Sequence, residues 1–167
     1  MISIGDTAPL FVAKSTHGDI NLENMKGGWV VLYFYPKDNT PGCSTQAMDF
    51  TASKKKFEKL NCTIFGISPD SVEKHHKFTE QKELNITLLS DEDHTIAQSY
   101  GAWRLKKNFG KEYMGIVRTT YLIDPKGVVA YIWNSVKVRQ KRQKDGKQYE
   151  VLHIDKVLEK LQKLQDI

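Results

Sequence analysis

A chain of 167 residues with 25 Lys+Arg against 20 Asp+Glu carries a formal net charge of +5, and 40% of it is hydrophobic. That composition suits one domain with a sizeable core over residues 1–167 and excludes disordered and collagen-like chains. The longest unbroken apolar run, residues 29–35, is far below the ~18 residues of a membrane span, and the opening Met1-Ile2-Ser3-Ile4-Gly5-Asp6 lacks the basic start and apolar stretch of a secretory signal, so a cytoplasmic, reducing setting is expected.

In chain order, residues 11–22 with Gly18-Asp19 at their middle suggest a hairpin. Trp29-Val30-Val31-Leu32-Tyr33-Phe34-Tyr35 is apolar on both faces and stops at Pro36, as a strand buried on both sides does. Ala47, Phe50, Phe57 and Leu60 then recur at helical spacing before a second such strand, Cys62 to Ser68, which closes a β-α-β unit. Residues 71–84 read as a helix, 86–89 as a short strand, and 94–100 as a helix opened by acidic residues. Residues 101–115 read as a loop whose Trp103 and Phe109 either wall the site or pack the loop. Strands at 117–123 and 128–133 are joined by Asp124-Pro125-Lys126-Gly127, a type I turn signature. Val151, Ile154, Val157, Leu158, Leu161 and Leu164 make the apolar stripe of a C-terminal helix. The order implies an α/β fold of thioredoxin-like kind, a mixed central sheet with helices on both faces.

The informative stretch is Pro36-Lys37-Asp38-Asn39-Thr40-Pro41-Gly42-Cys43-Ser44-Thr45-Gln46, where the chain leaves the buried strand and enters a helix. Thr40 suits the N-cap and Pro41 the N1 position, where its missing N–H is no loss. Cys43 then falls at N3, with the Thr40 hydroxyl expected to bond a backbone N–H beside it. A thiol in a first helical turn faces free N–H groups and the positive end of the helix dipole, which favour the thiolate. The turn lies at the carboxyl end of a central strand, where open α/β sheets place ligands.

Pro36-x-x-x-Thr40-x-x-Cys43 resembles the active-site motif of the peroxiredoxins, and the chain is most similar to the bacterioferritin comigratory (Q-type) subgroup. Gly5-Asp6-Thr7-Ala8-Pro9-Leu10-Phe11, Tyr33-Phe34-Tyr35-Pro36, Leu88-Leu89-Ser90-Asp91-Glu92-Asp93-His94 and Gly115-Ile116-Val117-Arg118 resemble further segments of that subgroup in the same order. The resemblance implies a thiol-dependent peroxidase without a cofactor. Cys43 would attack hydrogen peroxide or an organic hydroperoxide, with Thr40 and Arg118 as catalytic partners and Pro36 and Gln46 shaping the substrate pocket. Spacing alone does not place Arg118 at Cys43. Relatives of this type are often monomeric, and a monomer is expected.

Many such relatives carry a second cysteine five residues after the first, where this chain has Met48. Cys62 is the only other thiol. It opens the next parallel strand beyond a helix about 25 Å long, whereas a disulfide needs Cα atoms within about 4.4 to 6.8 Å. A one-cysteine cycle resolved by thioredoxin, glutaredoxin or glutathione is therefore expected, with a two-cysteine cycle through Cys62 as the alternative. A thioredoxin-like oxidoreductase would need a Cys-x-x-Cys, which Ser44-Thr45-Gln46 does not supply.

Residues 137–148 hold six basic residues and one acidic, so this segment accounts for the whole +5. A solvated basic loop is expected there; nucleic-acid binding through it is the competing non-enzymatic reading. No metal-ligand spacing links His75, His76 and His94. His75, three residues from both Val72 and Phe78, is expected at a half-buried packing position.

Overall fold

The computed structural model describes residues 1–166. In chain order the elements are β1 (Val12–Ser15), β2 (Gly18–Asn21), β3 (Trp29–Phe34), α1 (Pro41–Lys59), β4 (Cys62–Ser68), α2 (Val72–Lys82), β5 (Thr87–Ser90), α3 (Thr95–Tyr100), β6 (Trp103–Asn108) and β7 (Lys111–Ile116). They continue with β8 (Thr119–Ile123), β9 (Val129–Trp133), β10 (Arg139–Lys144), β11 (Lys147–Leu152) and α4 (His153–Gln165). Seven strands form one sheet in the order β2-β1-β5-β4-β3-β8-β9. Strand β4 runs parallel to β3 and β5, and β8 runs antiparallel to β3, which makes the sheet mixed as expected.

Alternation along β3 divides the core. Val31, Tyr33 and Tyr35 pack with Phe50 and Phe57 of α1, Phe78 of α2, and Ile154, Val157 and Leu161 of α4. Val30, Leu32 and Phe34 face the opposite layer with Ile96, Ala97 and Tyr100 of α3. Both faces of β3 are therefore covered, which is why its sequence shows no polar alternation. Among the described residues no helix is long and apolar enough to cross a membrane.

The turn after β8 forms as its sequence predicts: Gly127 N–H donates to the Asp124 carbonyl, and the Asp124 carboxylate accepts from the N–H groups of Lys126 and Val128. The helix expected from His94 starts at Thr95, with His94 itself left-handed at φ 62°. Asp91 caps it from outside by accepting from the N–H groups of Ile96 and Ala97. Val151 lies on β11 rather than in the C-terminal helix.

Two segments expected as loops are β-hairpins. Residues 101–115 carry β6 and β7, joined through Phe109-Gly110 with φ of 52° and 75°. The basic segment 137–148 carries most of β10 and β11, joined through Asp145-Gly146 with φ of 53° and 76°. Two left-handed residues closing a two-residue loop are the type I′ geometry whose twist matches that of paired strands. Neither hairpin shows the apolar alternation that marks a strand in sequence, because neither belongs to the central sheet. The basic segment is solvated as expected, with every residue from 141 to 150 exposed.

Candidate active site

The chain leaves β3 through Tyr35, whose N–H still donates to the Ile67 carbonyl of β4. Pro36 is half-buried, and Asn39 turns the backbone with φ 63°, a conformation that Asn tolerates better than most residues. Thr40 is the N-cap in extended conformation and Pro41 follows inside the first turn. The Ser44 N–H donating to the Thr40 carbonyl at 2.8 Å is the first helical bond. The Thr40 hydroxyl departs from expectation. It makes no capping bond and donates instead to the Lys37 carbonyl three residues back, a local acceptor that competes with the helix terminus for the side chain. Gly42 and Cys43 therefore sit at N2 and N3, where N–H groups have no intrahelical carbonyl to reach.

Cys43 is only 2% exposed. Arg118, from the link between β7 and β8, reaches it: Nη2 donates to Cys43 Sγ at 3.2 Å, and Nη1 donates to Gln46 Oε1. The guanidinium lies close over Gly42, where a Cβ would stand 3.4 Å from Nη2. The Val136 N–H donating to the Arg118 carbonyl at 2.9 Å holds the arginine's backbone. A charged donor on the sulfur stabilises negative charge there. Gln46, one turn beyond Cys43, is fully buried, and its Nε2 has no hydrogen-bond partner among the described residues. The structure thus brings Cys43, Arg118 and Gln46 together, with Pro36 and Thr40 on the turn that leads to them.

Beneath the first turns of α1 lies Tyr33, stacked on Phe50 with ring centroids 4.7 Å apart. Its partner in the register of β4 is Gly66, where a Cβ would come within 2.7 Å of the Tyr33 ring and hydroxyl. Only glycine leaves room for that ring. Burial, and then the neighbouring Cys43, raise the Tyr33 hydroxyl well above the usual tyrosine pKa.

A buried polar network fastens the turn, and the sequence does not announce it. Asp38 accepts from the Tyr35 hydroxyl at 2.6 Å and contacts His75 Nδ1 at 2.7 Å, while its own N–H donates to Asp70 Oδ2 at 2.8 Å. His75 Nε2 lies 2.8 Å from the Leu89 carbonyl; because a carbonyl only accepts, Nε2 carries a proton. His75 is fully buried rather than half-buried: its spacing from Val72 and Phe78 identifies the inward stripe of α2, and the two ring hydrogen bonds offset the cost of complete burial. The ligand atoms of Asp38, Asp70 and His75 lie within 4.8 Å of one another, a grouping that a metal ion would also fit by type. Asp70 Oδ2, however, already accepts from Ser68 Oγ and the Asp38 N–H. The network ties the turn to the ends of β3 and β4, to α2 and to β5.

The model of the AhpC/TSA family matches residues 4–132. Peroxiredoxin Bcp of Bacillus subtilis is 51% identical over 139 residues, covering 83% of this chain and 88% of that protein. The chain belongs to the AhpC/TSA family. Peroxiredoxin Q of Xylella fastidiosa superposes with a TM-score of 0.86 at 32% identity, covering 99% of this chain and 98% of that one. The bacterioferritin comigratory protein of Xanthomonas campestris, in a structure concerned with its alkyl peroxide reduction activity, does so at 0.80 and 34%, covering 92% and 90%. The expected thioredoxin-like fold is the fold of these neighbours, and this peroxiredoxin is a thiol-dependent peroxidase.

In the peroxiredoxin frame, Cys62 stands apart from Cys43. It pairs with Trp29 at the start of β3, whereas Cys43 follows the other end of that strand. It is 4% exposed, and burial pushes its thiol up to about 12. Met48 is 48% exposed on α1. Trp103 stacks on His94 with centroids 4.0 Å apart, a packing role, while Phe109 is 96% exposed at the tip of the β6–β7 hairpin.

His153 is a second buried histidine. Its Nε2 is 2.9 Å from Thr120 Oγ1 on β8, and its ring meets Phe50 and Trp133 edge-on. Burial, then Lys156 and Arg118, lower its pKa from 6.5 to about 4. The unfolded chain therefore binds the proton that the folded chain refuses. The stability due to this neutral ring is complete above about pH 6.5 and is lost as pH falls toward 4. Between pH 7 and pH 5 the loss is about 2 kcal/mol. Urea unfolding at the two pH values should show this difference, and His153→Gln should remove most of it; an unchanged pH dependence in that variant would assign it elsewhere.

Proposed function

We propose that Cys43 is the peroxide-reactive thiol and that the enzyme runs a one-cysteine cycle. The observation that carries the first part is the Arg118 guanidinium, 3.2 Å from a sulfur held in the first turn of a helix. The Cys43 thiolate attacks one oxygen of a hydroperoxide ROOH. An S–O bond forms, the O–O bond breaks, and RO⁻ leaves to take up a proton as ROH. Arg118 stabilises the thiolate and the charge that develops on the departing oxygen, the Gln46 carbonyl holds the guanidinium in place, and the unpartnered Gln46 Nε2 is a further donor beside it. Pro36 and Thr40 form the approach. The substrates are hydrogen peroxide and organic hydroperoxides; alkyl peroxide reduction is the activity named for the Xanthomonas campestris neighbour.

The product is Cys43 sulfenic acid. An external thiol from thioredoxin, glutaredoxin or glutathione attacks its sulfur and expels water, and a second thiol releases Cys43 by disulfide exchange. Two features favour resolution from outside. Cys62 lies beyond the far end of α1, about 25 Å along the helix from Cys43, with its thiol kept protonated by burial, and the exposed position five residues beyond Cys43 is Met48.

The test is Cys62→Ser. With peroxide and either a small thiol or a thioredoxin system, turnover should stay within about twofold of the unmodified enzyme, as for a replacement that removes no reacting group. Dimedone should trap Cys43 as its sulfenic acid in both proteins. A large loss of turnover, or a Cys43–Cys62 disulfide in the oxidised enzyme, would establish the two-cysteine cycle instead.

A further inference from the structure

We propose that one face of the β10–β11 hairpin docks an acidic thiol protein, the reductant of Cys43; this rests on the one-cysteine reading above. The strand register sorts the hairpin into two faces. Arg139 and Lys141 share a side with Glu150, and Arg139 contacts that carboxylate at 3.7 Å. On the other side stand Arg142, Lys144, Lys147 and Tyr149, with Gln140 and Val151 at the base and no carboxylate in the register. Lys144 and Lys147 are directly opposed cross-strand partners. Like charges in that position destabilise a two-stranded ribbon, and the Asp145-Gly146 turn keeps the ribbon paired in spite of them. A concentrated, uncompensated cationic face on a preformed ribbon is suited to an anionic partner.

The anchorage of the ribbon indicates which partner. Arg139 grips Asp49 of α1 with Nε at 3.2 Å and Nη2 at 2.6 Å. Asp49 lies six residues beyond Cys43 on the same helix, about 9 Å along its axis. The segment leading into β10 donates from Val136 N–H to the carbonyl of Arg118, and the segment leaving β11 donates from His153 N–H to the Val138 carbonyl. The root of the ribbon is thereby fixed beside Arg118 and α1, so a macromolecule that grips its cationic side, the side opposite Arg139, is held next to the catalytic turn. A partner that must bring its own thiolate to Cys43 gains from this placement, whereas a nucleic acid does not, and Tyr149 is the one aromatic the face offers for stacking on bases. The family model ends at residue 132, before the ribbon begins. Cys43, Gln46 and Arg118 all lie within the matched residues, and the ribbon is additional to them, which suits a device for partner choice.

The test uses the full-length enzyme and a triple variant, Arg142→Glu, Lys144→Glu and Lys147→Glu. Each is assayed with hydroperoxide and three donors: uncharged dithiothreitol, and thioredoxin and glutaredoxin with their recycling systems. The variant should turn over with dithiothreitol as the wild type does. Its KM for an acidic protein donor should rise about tenfold or more, and the wild-type KM should rise with salt while the variant's does not. Should charge reversal disturb folding, the triple glutamine variant relieves the Lys144–Lys147 repulsion and should show the same change to a smaller extent. Unchanged KM for both protein donors, failure of both donors where dithiothreitol succeeds, or an equal loss with dithiothreitol would each overturn the proposal. Salt-sensitive retention on duplex DNA that the variant loses, with its protein-donor KM unaltered, would make nucleic acid the occupant. If the wild type consumes hydroperoxide with none of the three donors, the peroxidase cycle itself is at fault, an outcome distinct from all of these.

Discussion

Replacing Cys43 with serine should reduce hydroperoxide consumption to the rate of the added thiol alone, a loss of at least about 10³-fold, as expected when the nucleophile of a covalent mechanism is removed. Serine occupies nearly the same volume in the first turn of α1 and still offers an oxygen to Arg118 Nη2, so the packing around Phe50 and Tyr33 is retained. What is lost is the thiolate. A serine hydroxyl is not ionised at neutral pH and is a poor nucleophile toward an O–O bond. Peroxide-consumption kinetics supply the first measurement and intact mass the second: the variant should gain no oxygen atom at position 43. Retention of even a tenth of the activity would move the reactive group elsewhere, and Cys62 would then be the thiol to test.

Arg118→Lys should slow the peroxide reaction by about 10² to 10³, the range seen when a charged or polar donor is removed from a developing oxyanion. Lysine preserves the charge, so the variant isolates geometry. The guanidinium is a planar fork, and here its two terminal nitrogens are divided between Cys43 Sγ and Gln46 Oε1. An ammonium is a point charge on a flexible stem and cannot span both in a fixed plane. Alkylation of Cys43 by iodoacetamide, which expels iodide and develops no charge on oxygen, should fall much less than the peroxide rate. Equal losses in the two reactions would mean that Arg118 acts only on the sulfur, and a peroxide rate within threefold of wild type would remove it from the mechanism.

The start of α1 was legible because its determinants are local: Thr40 and Pro41 fix the helix origin, and that origin puts Cys43 at N3. The strand character of residues 29–35 was equally plain, since burial on both faces writes an unbroken apolar run. Arg118 was identifiable only by resemblance. It lies 75 residues from Cys43 in the chain, and nothing in the spacing brings them together. The Asp38–His75 contact spans 37 residues and joins polar residues whose neighbours give no sign of complete burial. The Thr40 hydroxyl shows the converse limit: its N-cap position was right, yet the hydroxyl donates to a nearby carbonyl instead of accepting the backbone N–H that the capping pattern assigns to it. Both peripheral hairpins carried a readable mark in Phe109-Gly110 and Asp145-Gly146, but their polar strands hid the pairing that those turns direct.

The placement of Cys62 at the opposite end of β3 gives the oxidised enzyme a particular sense of time. An internal thiol would sit at an effective concentration of about millimolar or more, and its reaction would run at one rate in every medium. In the one-cysteine cycle proposed above, with the second thiol buried and remote, the lifetime of an oxidised Cys43 would be set by the donors around the molecule and would lengthen in inverse proportion as they are depleted. A second peroxide competes for the same sulfur throughout that interval and drives it to the irreversible sulfinic acid. In that cycle the fraction of enzyme retired at each turnover would record the ratio of oxidant to reductant outside it.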